Sequence, residues 1–175
     1  MSDDPRYPIG PFRFAGPLTP EQRAEAIEAI ENTPLALRKA LRGLADAQLE
    51  TPYREGGWRV RQLVHHIADS HMNAYCRFKL ALTEDNPVIK PYEEQLWAEL
   101  ADGSTAPVGL SLALLDALHA RWGMLLRSLT AEQFARPLTH PASGPHDIDW
   151  LLAIYAWHGA HHIAHITELR RARGW

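Results

Sequence analysis

The chain is poor in the features that would make it secreted, membrane-bound or nucleic-acid-binding. It has one cysteine, Cys76, in 175 residues. That excludes an internal disulfide and any thiolate cage, so metal chemistry must rest on nitrogen and oxygen ligands. The start, Met1-Ser2-Asp3-Asp4-Pro5, lacks the basic then apolar pattern of a secretion signal. No apolar run approaches the roughly 20 residues of a membrane span. With a net charge of −3 and no basic tract, a nucleic-acid surface is not expected. Strand alternation, internal repeats and low-complexity tracts are also missing. The expectation is one cytoplasmic domain, 1–175, with neither nucleic acid nor membrane as partner.

Helical periodicity fills most of that length. Residues 1–18 form an arm punctuated by Pro5, Pro8, Gly10, Pro11, Gly16 and Pro17, with Tyr7, Phe12 and Phe14 available to dock it. Thr19-Pro20-Glu21-Gln22 reads as a capping box with proline at the first helical position. The helix it opens is expected to split or kink at Pro34 and to stop at Gly43. A short turn and a loop follow over 46–57. A second long helix covers 59–83, a short one lies near 92–100, and 101–109 reads as irregular. A third long helix spans 110–128, Thr130-Ala131-Glu132-Gln133 caps a short turn, and 136–147 reads as a loop. The last helix runs from 148 to 172. The fold class expected is all-α, a four-helix bundle with short accessory helices and long loops, in which a site is built from side chains projecting inward.

Histidine is what the chain has in excess: 10 residues, four of them in Trp157-His158-Gly159-Ala160-His161-His162-Ile163-Ala164-His165. His158/His162 and His161/His165 are both spaced i,i+4, which stacks two imidazoles on one helix face roughly 5–6 Å apart at Cβ. One such pair plus one histidine from His65-His66 makes three nitrogen ligands and leaves a coordination position free, the pattern of a reactive metal site. Leu151, Tyr155, His158, His162, Ile166 and Leu169 share a stripe. The 158/162 pair is therefore expected to sit deeper than 161/165. His66 stacks one turn after Leu63, while His65 lies beside Arg61 and Gln62. His66 is the better inward candidate, with His65 left open. His71 and His119 read as core or interface residues, His140 and His146 as loop residues, and Cys76 as structural. Asp69 is a candidate to orient an imidazole; Tyr155, Asn73 and Arg77 are candidates to line a pocket.

Four stretches carry a family likeness: Tyr7-Pro8-Ile9-Gly10, Thr51 through Trp58, Val64-His65-His66-Ile67-Ala68-Asp69-Ser70-His71-Met72-Asn73, and Trp157 through Arg170. Together they resemble the YfiT-type branch of the DinB superfamily. The resemblance implies a DinB-like four-helix bundle with one divalent ion per subunit, zinc or nickel, held by His66, His158 and His162. It also implies a homodimer acting on a small-molecule substrate. Where many DinB proteins follow the last ligand with Arg-Gly-Gln, this chain has Ile163-Ala164-His165, a departure that fits the YfiT-type branch. Three functions are expected to compete: a metal-dependent hydrolase, an S-transferase joining a low-molecular-weight thiol of the bacillithiol kind to electrophiles, and a non-catalytic module clamped by the metal. No residue stands out as general base.

Overall fold

Each capping signal in the sequence opens a helix. In the computed structural model, which describes residues 4–175, helix α1 (Pro20–Leu41) starts at Thr19. The Thr19 hydroxyl accepts from the Gln22 amide, and the Gln22 side chain accepts from the Thr19 amide. Short α2 (Asp46–Leu49) precedes long α3 (Val60–Thr83), followed by short α4 (Glu94–Glu99) and α5 (Ala101–Ser104). Helix α6 (Val108–Arg127) leads to the turn α7 (Ala131–Phe134), capped by Thr130. Helix α8 (Ile148–Arg173) begins at Asp147, whose carboxylate accepts from the Trp150 amide, and ends at Gly174 with φ of 69°. Glycine adopts that left-handed conformation without steric cost.

Two segments depart from expectation. Residues 101–104 are helical, and the expected loop 136–147 holds a hairpin, strand β1 (Pro137–His140) antiparallel to β2 (Gly144–Asp147). The hairpin has no apolar alternation to announce it. Its order comes from a distant segment: the Ile89 amide donates to Thr139 O at 2.9 Å, and the Thr139 amide donates to Pro87 O at 2.9 Å. Nor does Pro34 split α1, which runs through it unbroken.

The four long helices pack in a ring, α1 against α8 and α6, and α3 against α6 and α8. Two apolar clusters fill the interior. One gathers Ile30, Phe78, Trp122, Leu126 and Leu151, and the other Leu37, Leu63, Ile67, Leu115 and Ile166. Between them each helix contributes polar groups: Thr33 from α1, His66, Ser70 and His71 from α3, His119 from α6, and His158 and His162 from α8. The arm lies along α8, with Phe12 against Trp150 and Trp157. Among the described residues no helix is long and apolar enough to cross a membrane.

Candidate metal centre

His66 and His158 come from different helices, 92 residues apart, yet their Nε2 atoms are 3.3 Å apart. The His162 ring lies 4.8 Å from the His66 ring and 4.4 Å from that of His158. One ligand atom from each of the three falls within 4.8 Å of the others. A tetrahedral ion with bonds of about 2.0–2.1 Å holds its nitrogens about 3.3 Å apart, so the His66–His158 separation is already that of two ligands. Burial keeps these rings uncharged: it lowers His66 to about 4 and holds His158 and His162 well below the ordinary histidine range. Neutral imidazole is the form that ligates, so the donor set fits a divalent ion.

The trio borders a pocket of about 490 Å³, walled by Trp58 and Trp157 and reaching Ser70, Arg77, Tyr92, Glu94 and His140. A larger hollow of about 610 Å³ lies on the outer face of α1, lined by Leu35, Arg38 and Arg42, and holds no histidine. Trp58 packs on His66 with ring centres 4.5 Å apart. The Ser70 hydroxyl lies 3.3 Å from His158 Nε2. Arg77 donates to the Tyr155 hydroxyl at 2.6 Å and to Lys90 O at 2.8 Å, tying the 87–92 loop to the pocket rim.

His65 is removed from contention. Its two ring nitrogens lie 2.7 Å from Ser111 Oγ and 3.0 Å from Ala106 O, so both are already engaged. The face it occupies is not solvent-facing, because Arg61 is buried by ion pairs to Asp46 and Glu50 and Gln62 donates to Ala98 O.

The expected depth ranking on α8 holds for loss of solvation, which acts most strongly on His158 and His162, but not for residual exposure. His161 is 7% exposed and His165 3%, against 8% for His162, so by exposure the second pair is no shallower. Periodicity missed what covers it. Tyr53 packs on His165 at 4.3 Å, Trp157 stacks on His161 at 4.4 Å, and Tyr7 of the arm lies 6.1 Å from His161. His161, His162 and His165 also form a group whose ligand atoms lie within 4.8 Å. That group shares His162 with the first, and its His161 and His165 Nε2 atoms are 3.2 Å apart, within reach of a mutual hydrogen bond.

Asp69 bonds no imidazole among the described residues; its half-buried carboxyl is pushed up to about 6 by loss of solvation. Asn73 donates to Asp69 O rather than reaching the pocket. Cys76 is exposed and outside the site. The residue that meets a candidate ligand from behind is His71, whose Nε2 lies 3.1 Å from His158 Nδ1. His71 Nδ1 in turn lies 2.9 Å from His119 Nε2, and His119 Nδ1 lies 2.6 Å from Ile30 O. Sequence reading placed His71 and His119 in the core, where they are, at 0% and 1% exposure, but not in this chain of contacts.

The family model described as DinB superfamily matches residues 29–166. A Bacillus cereus (strain B4264) protein and one from Bacillus thuringiensis subsp. konkukian (strain 97-27) are each 53% identical over 173 residues, covering 99% of both chains. Both carry provisional names as metal-dependent hydrolases. Among solved structures, YfiT from Bacillus subtilis matches with a TM-score of 0.95 and 50% identity over 98% of each chain. It is described as a probable metal-dependent hydrolase with an unusual four-helix bundle topology.

Proposed function

The chain belongs to the DinB superfamily, and from that premise we propose that it is a metal-dependent hydrolase whose divalent ion, zinc or nickel, is held by His66, His158 and His162. The observation that carries this reading is the convergence of three uncharged imidazoles, from α3 and α8, on the wall of one pocket. When bound, such an ion supplies Lewis acidity, which makes a nucleophile from water near neutral pH or deprotonates a thiol.

The protein's own groups do the rest. Trp58 and Trp157 restrict water around the ligand rings and offer flat apolar walls to a small substrate. The Ser70 hydroxyl, beside His158 Nε2, is placed to hold a proton or a polar group of the substrate at the site. Arg77, braced by Tyr155, presents a fixed positive charge at the rim, where it would orient a substrate carbonyl or carboxylate.

Thiol S-transfer is the second reading. It is favoured by the pocket lining, which includes a single carboxylate, Glu94, as a candidate base for hydrolysis. The proposal takes 1–175 as one domain, acting in the cytoplasm as a homodimer. Large apolar side chains exposed on the outside of α1 and α6, Leu35 at 70% and Met124 at 76%, support association. Sedimentation velocity tests the dimer.

The deciding experiment pairs elemental analysis with turnover. Wild-type protein is expected to carry one zinc or nickel per chain, and His158→Ala to lose it while keeping the helical circular dichroism. The loaded protein is then offered ester and amide panels, and separately low-molecular-weight thiols with monochlorobimane. Hydrolysis lost in His158→Ala supports the first reading, and conjugation alone replaces it with the second. Full metal content in the variant, or metal with neither reaction, removes the enzymatic assignment.

A further inference from the structure

We infer that His71 and His119 are positioning residues, which hold His158 as its Nδ1–H tautomer and so turn an unprotonated Nε2 toward the pocket. The argument starts at a proline. In a regular helix the carbonyl of Ile30 would accept from the amide of residue 34, but Pro34 has no N–H to give. Ile30 O is left without its helical partner, inside the bundle, where an unpaired carbonyl is costly. His119 Nδ1 meets it from α6 at 2.6 Å.

A carbonyl oxygen only accepts, so His119 Nδ1 must carry the proton. The opposite tautomer would set two lone pairs against each other at that distance. Direction then propagates. His119 is buried and bonded to no carboxylate, so it is neutral and its Nε2 is a bare acceptor. His71 Nδ1, 2.9 Å away, must donate to it. A neutral His71 then has a bare Nε2, and His158 Nδ1, at 3.1 Å, must donate in its turn. The proton of His158 is thus committed to the side away from His66, and its Nε2 is left bare. One carbonyl freed by one proline fixes three rings in series.

A merely structural account makes these rings space-filling polar core. The relay instead gives them the part taken by the carboxylates and carbonyls that usually stand behind ligating histidines, and loss of such partners typically costs 10–100-fold in metal affinity. The tautomer assignment stands on the contact geometry and on the burial that keeps His71 and His119 uncharged; its consequence for affinity rests on the reading of His158 as a ligand.

The test separates the two. In metal-free wild-type protein at neutral pH, long-range 1H–15N correlation spectra are expected to show Nδ1–H forms for His71, His119 and His158. An Nε2–H form at His158 overturns the inference. In zinc titrations, His71→Phe, which keeps a flat ring but cannot accept, is expected to weaken binding 10–100-fold. His71→Gln, whose Oε1 accepts from His158, is expected to recover most of that loss. Unchanged affinity in His71→Phe, or equal loss in both variants, overturns the relay. If wild-type protein takes up no divalent ion, the metal reading fails while the spectra still decide the tautomer.

Discussion

Trp157 Nε1 donates a 3.1 Å hydrogen bond to the carbonyl of Gly10, so the wall of the pocket and the anchor of the N-terminal arm are one side chain. The same indole stacks on His161, with ring planes 20° apart. Trp157→Phe keeps an aromatic ring there but removes the donor. The net loss in stability is expected to be about 1 kcal/mol. Trypsin cleavage at exposed Arg13 should accelerate while the bundle resists, and an unchanged cleavage rate would show that the arm is held by other contacts.

Asp149, 1% exposed, is the next point of leverage. Its carboxylate accepts two 2.8 Å bonds from Arg23 and one of 3.0 Å from the Leu18 amide, joining α8 to α1 and to the end of the arm. The same bonds hold the Arg23 guanidinium above its ordinary range. Asp149→Asn keeps the size and leaves Arg23 without its charge partner. Breaking a buried pair in this way costs about 3–5 kcal/mol. Urea unfolding should register the loss, and a change under about 1 kcal/mol would place the pair effectively in water.

Gly159 sits inside α8, where alanine would normally stabilise a helix by roughly 0.5–1 kcal/mol. Here a Cβ would come within 2.8 Å of Thr33 Oγ1, 3.1 Å of Thr33 Cγ2 and 3.4 Å of His71 Cε1. Gly159→Ala should therefore destabilise by about 1–3 kcal/mol, the usual cost of overpacking. Thermal unfolding checks the sign: a more stable variant would mean that α1 and α8 can separate at that point without penalty.

Acid should weaken the metal-free fold. Burial lowers His119, His161 and His165 to about 4, whereas an unfolded histidine titrates near 6.5. Between those values the unfolded chain binds protons the folded chain refuses. Stability is therefore full above about pH 6.5 and falls as pH drops toward 4. For buried His119 the difference amounts to roughly 3 kcal/mol. Asp69, pushed up to about 6, has the opposite sign and offsets part of the loss. A urea midpoint unchanged between pH 7 and pH 5 would contradict the burial of these rings.

The long helices and the trio were legible because their signals are local. Thr19-Pro20-Glu21-Gln22 names its own helix start, and the i,i+4 spacing of His158 and His162 puts both rings on one face whatever lies opposite. The preference for His66 over His65 rested on its stacking on Leu63; Arg61 and Gln62, beside His65, are themselves buried. What escaped was set by distant partners. The 137–147 hairpin is ordered by Pro87 and Ile89, and the depth of His161 and His165 by Tyr53 and Tyr7. Pro34 was visible as an interruption, but its freed carbonyl acquires meaning only when α6 brings His119 beside it.

The stratum of polar groups between the two apolar clusters means that the interior is not one continuous body of hydrocarbon. Replacing its imidazoles with leucine would join the halves, but it would also strip the Ile30 carbonyl of its His119 partner, so the added apolar packing is offset by a buried, unpaired acceptor. Such a protein would have no imidazole nitrogens left in this layer to offer an ion. Apolar packing and nitrogen donors thus compete for the same slice of the bundle.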